Sequence, residues 1–183
     1  MSKIDLRIIK TKRNIYNALL DLMREKSFEE IKVSDICDKA LVNRSTFYAH
    51  FEDKYELLSN LIQDMKNELS NELKKNKNIN STKEYYIEMM KLFLNHIEEK
   101  KDSYIAMAIN NKNSILSDII YDAIDHDIIY NLDKFDNNNT IPNNIIAKFY
   151  LGAVVNVALY WINNINKYSK EDMINYLSIL IPD

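Results

Sequence analysis

One glycine and two prolines in 183 residues leave almost no material for tight hairpins, and the apolar residues recur at helical spacing, not in alternation. The fold class expected is therefore all-α. A hydrophobic share of 46% with 28% charged residues supports a folded core in one or two small domains and argues against disorder. The single cysteine rules out an intramolecular disulfide. The charged start lacks the pattern of a secretory signal, so a reducing cytoplasm is the expected location.

The spacing predicts a first helix from about Ile8 to Lys26, with Ile15, Ala18, Leu19, Leu22 and Met23 on its buried stripe. In residues 33 to 51, Val33, Ile36, Cys37 and Ala40 share one face of a short helix, while Ser34, Asp35, Asp38 and Lys39 take the other. Leu41 and Val42 are too few for a flexible linker. Asn43 then offers a side-chain oxygen suited to capping a new helix. In that second helix Phe47 and Phe51 anchor one side, leaving Arg44, Ser45, Thr46 and Tyr48 at its exposed start. A helix-turn-helix results, with basic, hydroxylated and aromatic groups that suit phosphate oxygens, base acceptors and thymine methyls of a major groove.

Together with its flanks, this segment resembles the TetR family of bacterial transcriptional regulators. The resemblance rests on Thr11 to Ile15, Ala18 to Leu22, Phe28 to Ile31, Val33 to Ile36, Thr46 to Phe51, and Asp53 with Lys54, in that order and spacing over roughly the first third of the chain. Two positions depart from the pattern. Leu41 stands where a turn glycine is usual, and Lys32 where a hydroxyl N-cap is frequent. A left-handed leucine costs on the order of 1 kcal/mol, so a strained or slightly reshaped turn is expected. The expected DNA-binding set is Arg13, Ser34, Asn43, Arg44, Ser45, Thr46, Tyr48, His50 and Lys54.

Asp53 with Glu56 reads as the capped start of a fourth helix running about five turns, through Leu58, Leu61, Ile62, Met65, Leu69 and Leu73. It joins an N-terminal three-helix domain, residues 1–68, to a C-terminal helical bundle, residues 69–183. Its N-terminus would present the Lys54 ammonium and free N–H groups to a DNA phosphate. Ser81 with Glu84, Asp102 or Ser103, Ser114, and Ser169 with Asp172 open further helices, and Pro142 suits a helix first turn. Residues 133–140 read as a loop.

From Ile145 to Ile162 the chain is apolar nearly all round. The uninterrupted part, about 14 residues, is shorter than the about 20 needed to span a membrane, so a helix buried on several sides is expected, with Gly152 admitting a close neighbour. The family resemblance implies that the last two long helices pair with their copies across a two-fold axis. The interface expected on that basis is Gly152, Val155, Leu159, Tyr176 and Leu180 of a homodimer.

The net charge of −3 is unusual for a DNA binder, but it is unevenly distributed. Residues 1–62 carry 11 Lys and Arg against 10 Asp and Glu, and screening makes the local field matter more than the total. The sequence offers no Gly-rich phosphate loop, no Cys/His zinc spacing and no nucleophile–base pair, so no enzyme activity, cofactor or metal is expected. Asp122, Asp125, His126 and Asp127 wrap around a helix rather than converge. Tyr86, Met89, Met90, Phe93, Met107 and Tyr121 read first as core. Collectively they also suit the walls of a pocket for the small-molecule or protein effector that the resemblance implies. The functional expectation is a repressor that binds a near-palindromic duplex operator as a homodimer and is released by its effector. The alternative is a helical protein-interaction scaffold that has lost DNA binding.

Overall fold

The computed structural model describes residues 6–76, 79, 81–111 and 141–180, and within them all regular structure is helical. The helix read from Ser114, with Tyr121 and the Asp122–Asp127 group, and the loop at 133–140 lie outside the described residues. Helix α1 spans Leu6–Glu25 and buries the five expected residues. A 3-10 turn at Phe28–Glu30 leads to α2, Val33–Ala40, and α3, Arg44–Tyr48. Helix α4 runs Lys54–Asn76, α5 Thr82–Glu99, α6 Lys101–Asn110, α7 Asn143–Asn163 and α8 Lys170–Leu180.

Two cores form. The first gathers α1, the 3-10 turn, α2, α3 and the start of α4 around Ile15, Leu19, Phe28, Ile36, Phe47 and Leu57, all fully buried. The second gathers α5, α7 and α8 around Leu94, Ile97, Trp161 and Leu177. Helix α4 leaves the first core and packs along α5, while α6 lies against α1. The Tyr16 phenol donates to Asp64 at 2.8 Å, a further tie between α1 and α4. Burial first, and then the Asp64 carboxylate, hold that phenol well above its ordinary pKa.

Side-chain caps set the starts of α5 and α8. Ser81 Oγ accepts from the Glu84 amide at 3.2 Å. Ser169 and Asp172 cap each other, Asp172 N to Ser169 Oγ at 3.0 Å and Ser169 N to Asp172 Oδ2 at 3.1 Å. Pro142 stands one place earlier than its sequence suggests, as the N-cap of α7 rather than in its first turn. Its extended ψ of 135° is not yet helical.

Helix α7 is sided after all. Ala158, Trp161 and Ile162 face the second core, and Ile145, Phe149 and Tyr160 are more than half exposed on the other side. Val155, expected in an interface, is 7% exposed within the single chain. Among the described residues nothing lies close to Gly152, since none of their atoms outside its own helix backbone comes within 4 Å of where its Cβ would sit. No helix among the described residues is long and apolar enough to cross a membrane.

Candidate nucleic-acid interface

Helix α2 ends in a turn that the sequence makes difficult. The amides of Leu41 and Val42 donate back to Asp38 O at 3.3 Å and Cys37 O at 3.0 Å, the two bonds of a Schellman ending that needs a left-handed residue between them. Leu41 takes that role, at φ 56° and ψ 45°, and it is the only non-glycine with positive φ among the described residues. Its side chain is 92% exposed, so no packing recovers the strain. The turn is kept, and α2 and α3 meet as expected.

At the other end of α2, Lys32 has no side-chain cap to offer, and Asp35 supplies it from within the helix. Asp35 Oδ2 accepts the Lys32 amide at 3.2 Å and receives the Lys26 ammonium. The bond from Lys26, then that from the Lys32 amide, hold the Asp35 carboxyl below its ordinary value. Asn43 stands at the N-cap of α3 in extended conformation, but its side chain makes no cap bond. The capping role expected of it is thus corrected, and its amide sits exposed at the head of the helix.

Phe47 is fully buried and Phe51 almost so, their rings 5.7 Å apart, which turns the opposite side of α3 outward. Arg44, Ser45 and Tyr48 are exposed, whereas Thr46 and His50, one turn apart, are half-buried. Arg44 and Tyr48 also lie one turn apart. A hydrogen bond to the Tyr48 side chain, reinforced by its charge, raises the guanidinium pKa further. Arg13 is exposed on α1, and its neighbour Lys12 places its ammonium 5.6 Å from the Phe51 ring. Ser34 is half-buried, its hydroxyl 3.4 Å from Asp35 Oδ1.

Lys54 differs most from its expected role. Its ammonium donates to Phe28 O at 2.8 Å, Glu29 O at 2.9 Å and Ile31 O at 2.8 Å, and it lies 4.9 Å from the centre of the Phe28 ring. Three donors are all an ammonium has. Burial lowers its pKa, while the three carbonyls favour its charged form. The N-terminus of α4 is also occupied: Asp53 Oδ1 accepts from the amides of Tyr55 and Glu56, each at 2.8 Å. The expected phosphate site there is corrected to an internal clamp, because both its ammonium and its amides already hold protein oxygens.

The residues expected to wall a pocket divide between the two cores. Met90 and Phe93 belong to the second, while Met107 packs against the first. Tyr86 is buried and Met89 half-buried on α5. A cleft of about 520 Å³ opens elsewhere, between Ile105 and Ile109 of α6 and the residues from Ile162 to Lys167. Of the interface residues, Tyr176 and Leu180 are 45% and 69% exposed, and Leu159 and Gly152 are half-buried. No group of three or more His, Cys, Asp or Glu among the described residues could hold a metal ion.

A two-helix reading head with this outward edge has a counterpart in known proteins. Residues 15–61 match the family model described as "Bacterial regulatory proteins, tetR family". Residues 87–183, more than half of the chain, match that described as "Transcriptional regulator C-terminal region". The chain belongs to the TetR family of transcriptional regulators. It is 31% identical over 105 residues to the dhaKLM operon transcriptional activator DhaS of Lactococcus lactis, covering 56% of this chain and 51% of that protein. It is 40% identical over 62 residues to the uncharacterised HTH-type regulator YxbF of Bacillus subtilis, covering 33% and 16% respectively. The chain thus matches about half or less of the length of these curated relatives. Among solved structures it resembles a TetR regulator from Streptococcus agalactiae, with 27% identity, a TM-score of 0.65, and coverage of 98% of this chain and 97% of that one.

Proposed function

We propose that this TetR-family regulator is a homodimeric repressor that reads a near-palindromic operator through α3 and is released when an effector favours a DNA-incompetent state. The observation that carries the reading is the outward edge of α3, where Arg44, Ser45 and Tyr48 are exposed over a fully buried Phe47. The guanidinium suits guanine O6 and N7 or a phosphate, and the phenol suits a phosphate or a thymine methyl. In the same reading Asn43, Thr46, Arg13, Ser34 and His50 would add further contacts to the duplex. In this reading residues 1–68 form the reading head and 69–183 the half that dimerises and senses, and the protein works in the cytoplasm, where its duplex is.

Dimerisation is supported by the exposed side of α7, where Ile145, Phe149, Gly152 and Tyr160 follow one another at helical spacing, and by Tyr176, Ile179 and Leu180 on α8. A stripe of this kind is costly to leave in water, and a second copy would cover it through a two-fold axis. Two heads then meet two half-sites one helical turn, or a multiple of it, apart. An effector, small molecule or partner protein, must bind the released state more tightly, since equal affinity for both states shifts nothing. The activator role named for the Lactococcus lactis relative favours a second reading, activation from the same kind of site.

The test begins with duplexes selected from a random pool by the full chain. Arg44→Ala and Tyr48→Ala should each weaken binding of the selected duplex by about 1–3 kcal/mol while leaving the fold intact. If both variants bind as the wild type does, α3 is not the reader. Should no duplex be retained in a salt-dependent way, the scaffold reading takes its place.

A further inference from the structure

The C-terminal turn of helix α1 takes donors from α6 and its C-cap. Its last carbonyls need donors; Leu22 O finds the Lys26 amide at 3.0 Å, and the next two are met by side chains of α6 and its C-cap. Asn110 Nδ2 donates to Arg24 O at 2.7 Å. Asn111 Nδ2 donates to Met23 O at 3.1 Å and to Met107 O at 2.8 Å, and its Oδ1 accepts from the Phe28 amide at 2.6 Å. Only one orientation of the Asn111 amide satisfies all three, because two partners are acceptors and the third is a donor. Neither aspartate, which cannot donate when ionised, nor leucine could replace it.

The Phe28 residue is gripped from both sides. Its amide is held by Asn111 and its carbonyl by Lys54, and it begins the turn between α1 and α2. We propose that Asn110 and Asn111 are positioning residues of the reading head, supplied by the half of the chain that would sense and dimerise. They cap the first helix of the head and fix the turn from which α2 and α3 hang. The proposal rests on the DNA-reading role argued above. A shift of α6 along α1 cannot leave these bonds unchanged, so the pose of the head and the state of the second core are linked. Linkage of this kind is reciprocal: whatever steadies the head on DNA also steadies the second core.

Trp161 is the only tryptophan and lies in the second core at 1% exposure, so its fluorescence reports on the half that does not touch DNA. In urea, saturating selected duplex should raise the Trp161 unfolding midpoint of the wild-type full chain. In the Asn110→Ala, Asn111→Ala double variant that rise should vanish, and the duplex dissociation constant should increase about tenfold, the factor that follows from losing interactions of hydrogen-bond strength. Asn110→Ala alone removes only the more exposed bond, and it should keep the fold and show a smaller effect in the same direction. A double variant whose Trp161 midpoint still follows the duplex, with unchanged affinity, would overturn the proposal. A readout free of DNA separates this from failure of the DNA reading itself. Amide exchange at Phe28 should quicken in Asn111→Ala by about tenfold or more, and unchanged exchange would refute the capping whether or not any duplex binds.

Discussion

Lys54→Met separates a clamp from a phosphate contact. The thioether keeps the stem and its packing on the Phe28 ring but removes three donors from Phe28 O, Glu29 O and Ile31 O. A bond from a charged group is worth about 1.5–3 kcal/mol, yet the three are not additive. They share one ammonium whose burial already lowers its pKa, and Phe28 O retains the Ile31 amide at 3.2 Å. The Glu29 carbonyl is at the exposed end and can return to water. A net loss of about 2 kcal/mol is therefore expected, which for a chain of this size lowers the thermal midpoint by about 4–8 °C. The second assay is the salt dependence of binding to the selected duplex. A lysine on a phosphate contributes about 0.9 to the slope of log affinity against log salt, whereas a clamp contributes nothing to it. The expected outcome is a lower melting point with an unchanged slope. An unmoved melting point with a slope reduced by about 0.9 would return Lys54 to the phosphate and refute the clamp.

Leu41→Gly should be neutral to stabilising by up to about 1 kcal/mol, since relief of about 1–2 kcal/mol of left-handed strain outweighs the extra entropy of an unfolded glycine and the exposed leucine side chain makes no packing to lose; a loss above about 1 kcal/mol in urea unfolding would show that the leucine is held by contacts of its own. The Asp35 carboxyl is held below its ordinary value, so its contribution is complete above the ordinary carboxylate range and is lost as pH falls through the lowered folded value. Asp35→Asn should flatten that part of the acid limb in a titration of the thermal midpoint, and an unaltered limb would show that the carboxylate does not act there. A Cβ at Gly152 meets no described atom within 4 Å, and Gly152→Leu replaces a poor helix former, so the isolated chain should lose little or no stability. It should nevertheless shift sedimentation from dimer toward monomer and weaken operator binding, and a wild-type protein that sediments as a monomer with and without duplex would refute the interface.

What could be read from the sequence follows from the range over which each signal acts. The stripe Ile15, Ala18, Leu19, Leu22 and Met23 was legible because polar residues separate it on every turn of α1, and the same contrast exposes Ile36, Cys37 and Ala40 on α2. On α7 that contrast fails. With apolar residues on all sides the period carries no direction, so Ala158 could not be told from Phe149 until the second core claimed one and left the other outside. The left-handed turn was legible too, because the family pattern marks the position where a glycine is usual and Leu41 stands there. The direction of a long or rotatable side chain was not. Propensity puts Asn43 at an N-cap without saying which way its amide turns, and it puts Lys54 at a helix start without showing carbonyls 23 to 26 residues earlier. Asn110 and Asn111 lie further out of reach, with partners 83 to 88 residues away and a place at a helix end where asparagine is ordinary. Their significance is visible only once α6 lies against α1, when the unmet carbonyls of one helix face the amides at the end of the other.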